Sequence, residues 1–278
     1  QHISVEQDGP PRAGASRMRG STGMMTHDKM IQIVQAQLAV DLNCAVADLN
    51  GDKDSVVFVE ARENAGRRPF ARKERHFDIV SMGQSIVVSA TPERLAIARD
   101  QMRGQGRDAI FALPFVRGLY LHFLPDLARM QPLAPPAGYD FELVEREGVA
   151  DLLGTPGFSN SLIYDPNHPY HTVKVMLARR DGVIVGMAGA CDVAARLWQI
   201  GVDVLPGQRR LGLATYLVRC LTLELLNLGY VPSYDAIASN IASQRVAYRA
   251  GYYPAWVSDW RCNFTGLETP LPAGVGSQ

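Results

Sequence analysis

Along this chain, stretches of helical periodicity alternate with short clusters of β-branched residues. MIQIVQAQLAVDL (30–42) repeats apolar residues every three or four positions and predicts an amphipathic helix. SVVFVEA, FDIVSM and SIVVSA follow as apolar, β-branched clusters and predict strands. Thr91-Pro92-Glu93 opens a second helix, with threonine as the cap, proline in the first turn and glutamate at the positive helix end. This N-terminal part reads as α+β, without a catalytic signature or an internal repeat. Its segment 61–76 gathers Arg62, Arg67, Arg68, Arg72, Lys73 and Arg75. On a neutral protein such a cluster reads as a solvated hairpin before it reads as a phosphate site.

MQPLAPPAGYD, from Met130 to Asp140, has the proline and glycine content of a linker. Past it, TVKVMLARR and VIVGMAGACDV are two apolar strands joined by Asp181-Gly182, a strong hairpin signal. LWQIGVDV is a third strand. In PGQRRLGLATYLVRCLTLELLNLGY, Leu211, Ala214, Leu217, Val218, Leu221, Leu225 and Leu228 recur at helical spacing, and Gly229 stands where a helix-terminating glycine belongs. A strand, a turn and a long helix in this order place unpaired backbone N–H groups and a positive dipole end at one point, which suits an anion. Gly212 and Ala214 keep the approach open, and Arg209 and Arg210 add cationic donors. No GxGxxG and no Walker lysine is present, so the Rossmann and P-loop readings fail.

The 278 residues favour two domains, 25–135 and 136–265, between a leader (1–24) and a tail (266–278) whose composition predicts flexible ends, with Met24 or Met25 as a natural start. Twenty-eight basic residues balance twenty-eight acidic ones, which argues against nucleic acid as a partner. No apolar run reaches the roughly 18 residues of a membrane helix. Cys44, Cys191, Cys220 and Cys262 lack CxxC spacing, which predicts neither a zinc cage nor a disulfide framework and points to a reduced, cytoplasmic protein. Cys191 and Cys220 read as core residues, and Trp198 and Trp256 as packing for the sheet. His168 and His171 have no third ligand nearby and read as loop residues, so no metal is expected. The sequon Asn263-Phe264-Thr265 carries no weight without a secretion route.

VDVLPGQRRLGLATYLV resembles the central motif of the GNAT superfamily of acetyl-CoA-dependent N-acetyltransferases: an apolar strand, a proline, then Arg209-x-x-Gly212-x-Ala214 at a helix start. SNIASQRVAYRAGYYPAW is similar to the superfamily's later helix, with Asn240, Ser243, Gly251 and Tyr252 at the expected offsets. The resemblance covers the part after the linker. It implies an α+β (α/β) GNAT fold: a mixed, mainly antiparallel, splayed sheet flanked by helices, preceded by a smaller α+β domain that shapes the acceptor pocket.

The resemblance further implies that acetyl-CoA is the cosubstrate. Its pyrophosphate would sit on the backbone of Arg210, Leu211, Gly212, Leu213, Ala214 and Thr215 with Arg209 at the rim, its pantetheine arm along Val202 and Val204, and Asn240 would complete the site. The implied reaction is direct attack of an amine on the thioester, with a small-molecule primary amine as acceptor. A protein N-terminus or lysine is the alternative acceptor, and a non-catalytic acyl-CoA sensor the alternative role. A homodimer is compatible with this reading. Asp203 is the carboxylate of the motif strand and stands either as the base or as a structural aspartate. Many members carry a tyrosine four residues before the Gly-aromatic pair. Here that residue is Ala247, and Tyr248 comes one later, as proton donor or as packing, with Tyr234 in reserve. The ribosomal-protein-type N-terminal acetyltransferases share the Asn-x-x-Ser spacing without that tyrosine.

Overall fold

The computed structural model describes residues 24–70, 76–163 and 168–259. Among them the chain opens with α1 (His27–Leu42) and the single turn α2 (Val46–Leu49). Then follow β1 (Val56–Glu60), β2 (Phe77–Ser81), β3 (Ile86–Ala90), α3 (Pro92–Met102), α4 (Arg107–Phe111) and β4 (Leu119–Pro125). After the proline-rich stretch come β5 (Asp140–Val144), α5 (Arg146–Val149), β6 (Thr172–Arg180), β7 (Val183–Cys191) and β8 (Leu197–Val204). The chain continues through α6 (Leu213–Asn227), β9 (Val231–Ile237), α7 (Ile241–Arg249) and β10 (Tyr252–Asp259).

The local signals act as their chemistry requires. Asp181 and Gly182 both take positive φ, 52° and 78°, as a two-residue turn between right-twisted strands demands. On α6, Leu213, Leu217, Val218, Leu221 and Leu225 are buried. Leu211 and Leu228 belong to the same periodic pattern, yet they lie beyond the helix ends and are about half exposed. Thr91 occupies the cap position of α3, but its side chain makes no capping bond; its carbonyl accepts the Leu95 N–H instead.

The ten strands among the described residues form one sheet in the order β1-β3-β2-β10-β4-β9-β8-β7-β6-β5. The β1–β3 and β8–β9 pairs are parallel and the others antiparallel. This is the mixed, mainly antiparallel α+β sheet expected. The linker-like stretch joins two parts of that single sheet. β4 precedes it in sequence yet lies between β9 and β10, while β10 takes β2 as its other neighbour. Neither β4 nor β5 is among the strands that the apolar clusters predict. Arg219 of α6 reinforces the junction, its guanidinium donating to the carbonyls of Ala250 and Gln131.

Both faces are covered. α1 lays Met30, Val34 and Leu38 onto Val80, Leu124, Leu197, Val231 and Trp256. On the other face α6 and α7 cover Ile200, Tyr234 and Tyr252, and α3 covers Ile79 and Val88. A sheet buried on both sides explains why its strands read as apolar runs rather than strict alternation.

The arginine-rich segment departs from the solvated hairpin expected. β1 pairs with β3 in parallel, so residues 61–70 form an irregular crossing instead of a turn into β2. Arg68 donates through its backbone N–H and its Nε to the two oxygens of buried Asp41, at 2.8 and 2.6 Å. Arg67 stacks on the Phe70 ring. The carboxylate holds the Arg68 guanidinium in place, whereas burial disfavours the charge of Arg67 despite its aromatic partner. Arg72, Lys73 and Arg75, residues 1–23 of the leader, the tail and the Asn263 sequon lie outside the described residues.

Candidate active site at the splayed strands

β8 and β9 pair only from Leu197↔Val231 to Ile200↔Tyr234. Beyond that point β8 stays with β7, through Gly201↔Gly189 to Val204↔Gly186, and β9 stays with β4, through Tyr234↔Phe123 to Ile237↔Tyr120. The sheet therefore opens into a wedge between Val202–Val204 and Asp235–Ile237. Strand edges facing such a wedge offer backbone groups to an extended ligand.

The start of α6 stands at the open end of β8. Arg210 and Gly212 both adopt left-handed backbone, φ 68° and 81°, and no side chain caps the helix. Successive N–H groups thus converge without an internal acceptor, an anion-binding arrangement reinforced by the 15-residue helix dipole. A Cβ at Gly212 would meet nothing within 4 Å, so the approach is open. Arg210 and Leu211 are exposed, Ala214 and Thr215 half-buried, and Leu213 is buried, so Leu213 can contribute only through its backbone. Arg209 folds back and donates its Nε to the Val204 carbonyl at 2.9 Å, closing the turn. Val202 and Val204 pack toward α6, and Asn240 caps α7 by accepting the Ser243 N–H at 3.1 Å.

Asp203 faces the opposite side of β8. Its carboxylate accepts from Asn160 N (2.8 Å), Asn160 Nδ2 (2.6 Å), Ser161 N (2.8 Å) and Ser161 Oγ (3.0 Å). These bonds draw segment 158–161 across the sheet, over the paired glycines of β7 and β8. A Cβ at Gly201 would lie 1.8 Å from the Asn160 carbonyl oxygen, and one at Gly189 equally close to that of Ser161. The strand glycines are there because another backbone crosses them.

The tyrosines separate clearly. Tyr234, at the last paired position before the wedge, is buried and its hydroxyl meets Ser243 Oγ at 2.7 Å. Burial pushes its phenol up, partly offset by the Ser243 bond. Tyr248 is 43% exposed, near the far end of α7, and packs edge-on against Phe123. Ala247 is buried in the core. Cys191 is buried with its thiol pushed up to about 11, and burial also raises Cys220, which makes both poor nucleophiles. His168 is tied to Tyr170 through Nδ1, and Trp198 stacks on Tyr230.

On the Asp203 face, just past the last β8–β9 pair, lies a group that no local motif announces. His122 Nδ1 donates to Asp235 at 2.8 Å, His122 Nε2 meets Ser258 Oγ at 2.7 Å, and the ring stacks on Trp256 with centroids 4.6 Å apart. His122, Asp235 and Ser258 come from β4, β9 and β10, with His122 separated in sequence from its two partners by 113 and 136 positions. Their only sequence trace is a polar residue inside each apolar strand. Arg68 and Asp78 lie within electrostatic reach of this group.

Residues 176–256, which span the wedge and both helices beside it, match the family described as GNAT acetyltransferase. Several solved structures resemble it at low identity. A GCN5-related N-acetyltransferase-like protein from Streptococcus suis is 17% identical, covering 84% of this chain and 99% of that one at a TM-score of 0.43. An acetyltransferase of the GNAT family from Colwellia psychrerythraea is 10% identical, covering 86% and 98% at 0.45. A GNAT-family structure from Novosphingobium aromaticivorans is 21% identical at 0.37; the match covers 52% of this chain and 66% of that one, just under two thirds of that protein's length. No curated protein matches the chain. Among the described residues no helix is long and apolar enough to cross a membrane.

Proposed function

We propose that the protein is an N-acetyltransferase that moves an acetyl group from acetyl-CoA to a primary amine, by direct attack in a ternary complex. The observation that carries this reading is the juxtaposition of two features: a wedge in the sheet and, at its mouth, an uncapped helix start with open space around Gly212. The backbone N–H groups from Arg210 to Thr215 would hold the pyrophosphate. The free edge of Val202–Val204 would hold the pantetheine arm, and its N–H groups would polarise the thioester carbonyl. The coenzyme supplies an activated acyl group whose thiolate leaves when nitrogen attacks.

Tyr234 and Ser243 stand at the apex of the wedge and are the proton source we favour for that thiolate; Tyr248, expected from the sequence, is the competing donor. Because the Asp203 oxygens are already engaged, we assign Asp203 to holding segment 158–161 instead of to base catalysis. We favour a small-molecule acceptor, received on the face of β4 and β9 that carries His122 and Asp235, where Arg68 lies within electrostatic reach. A cytoplasmic placement belongs to this proposal.

The test mixes the protein with acetyl-CoA and a panel of primary amines, amino-terminal peptides and lysine peptides, and follows release of free thiol. Turnover with a small amine supports the proposal, and turnover with peptides alone moves the acceptor to protein. Acetyl-CoA binding without release to any acceptor indicates a sensor, a reading for which the alanine at position 247 speaks.

A further inference from the structure

We propose that Asp235 is the acceptor-side catalytic carboxylate, receiving the amine as its ammonium and taking its proton during attack, and that His122 is the residue that positions it. This rests on the acyl-transfer reading above. The wedge opens immediately after the Ile200↔Tyr234 pair, so Asp235 is the first β9 residue at its mouth. Alternation turns Asp235 away from Tyr234 and from α6, onto the face opposite the proton donor. Donor and acceptor functions are thereby divided between the two faces of one strand.

The two carboxylates at the wedge differ in spare capacity. Asp203 accepts four hydrogen bonds from Asn160 and Ser161. Among the described residues Asp235 accepts one, from His122, and its side chain keeps 16% of its surface open. Its second oxygen is the carboxylate position beside the wedge still able to accept an N–H. His122 cannot swing away, since Ser258 holds Nε2 and Trp256 lies flat against the ring, with 5° between the planes. With Ser258 donating to Nε2, the imidazole carries its proton on Nδ1 and points it at Asp235, which fixes the rotamer of the carboxylate.

In the step itself, the bound ammonium first releases one proton to water; the neutral nitrogen then forms its bond to the acetyl carbon and the carbon–sulfur bond breaks. A second proton leaves nitrogen for the free oxygen of Asp235, and the thiolate takes its proton on the opposite face. The nitrogen becomes far more acidic as it bonds to carbon, which lets a carboxylate accept from it. The carboxylic acid so formed keeps its bond to His122 and returns its proton to water when product leaves.

The experiment compares the parent with Asp235→Asn, His122→Asn and His122→Leu, using whichever amine of the panel turns over and its less basic fluorinated analogue. Asp235→Asn is nearly isosteric and should bind acetyl-CoA like the parent in calorimetry, while turnover with the basic amine falls about 10²- to 10⁴-fold. With the fluorinated amine, largely neutral at the start, the loss should shrink to within about tenfold. His122→Asn preserves an N–H near the Nδ1 position and should retain more turnover than His122→Leu. An equal loss with both amines, turnover within threefold of the parent, or no difference between the two His122 variants would overturn this assignment alone. Failure of the parent to acetylate any amine would remove the acyl-transfer reading and this inference with it.

Discussion

Asp203 and Asn160 are joined twice, with the Asp203 carboxylate accepting both the backbone N–H and the side-chain amide of Asn160. That double contact pins the segment whose carbonyls cross Gly189 and Gly201. Asp203→Ala removes the acceptors and should cost about 1–3 kcal/mol of stability, read from denaturant unfolding, because charge-assisted bonds are lost and their donors left unpaired. A base at this position would behave differently: stability would hold while turnover collapsed.

Gly212→Glu should abolish acetyl-CoA binding and leave the fold in place. The left-handed backbone there costs a residue with a side chain roughly 1 kcal/mol, which a protein of this size tolerates. The carboxylate would then occupy the open space before the helix start and repel an anion. Calorimetry on the folded variant checks this, and unchanged affinity would remove the coenzyme from this site.

Tyr234→Phe and Ser243→Ala should each lower turnover about 10²-fold or more with acetyl-CoA affinity little changed, as expected when a proton donor or its partner is removed. Tyr248→Phe should stay within threefold of the parent, since phenylalanine keeps the edge-on contact with Phe123. The reverse order of losses would return the donor role to Tyr248.

The pH dependence of stability carries two opposed contributions near the acceptor face. Burial raises the Asp78 carboxyl from 3.8 to about 6, against the pull of Arg67 and Arg68. Burial first, then Arg67 and Arg94, lower the His76 imidazole from 6.5 to about 3. The native state keeps the Asp78 proton that the unfolded chain releases, so this contribution falls as pH rises from about 4 to 6. The native state refuses the His76 proton that the unfolded chain takes, so that contribution rises between about 3 and 6.5. Asp78→Asn removes only the falling part. Its stability should climb more steeply than the parent's from pH 4 to 6 in urea titrations, and parallel curves would contradict this.

A chain beginning at residue 136 should fail to fold. It would lack β4, leaving the facing edges of β9 and β10 unpaired, and β2, the other neighbour of β10. Buried backbone groups without partners are costly, and several would be created at once. Loss of the cooperative unfolding transition and of amide protection in β9 and β10 is the expected result. A folded fragment that binds acetyl-CoA would show instead that the C-terminal part carries its own stable sheet.

What the sequence determined by itself is what neighbouring residues decide among themselves. Asp181-Gly182 can make the tight turn, the apolar spacing from Leu213 to Leu225 makes a helix, and Gly212 and Gly229 supply left-handed backbone at its two ends. These are short-range effects of sterics and burial, and with them came the strand–turn–helix unit on which the proposed anion site rests. Other features depended on the tertiary structure. Strand chemistry makes a segment extended without naming its partner, because every ladder uses the same backbone groups. Only the assembled sheet put β4 between β9 and β10, ended the β8–β9 pairing at Ile200, and laid segment 158–161 over two glycines. Asp203 reads in sequence either as a base or as a structural aspartate, and only the arrival of that segment engages its oxygens. His122 and Asp235 become a pair only because β4 and β9 bring distant residues into register on one face, where burial makes a hydrogen bond between them worth keeping.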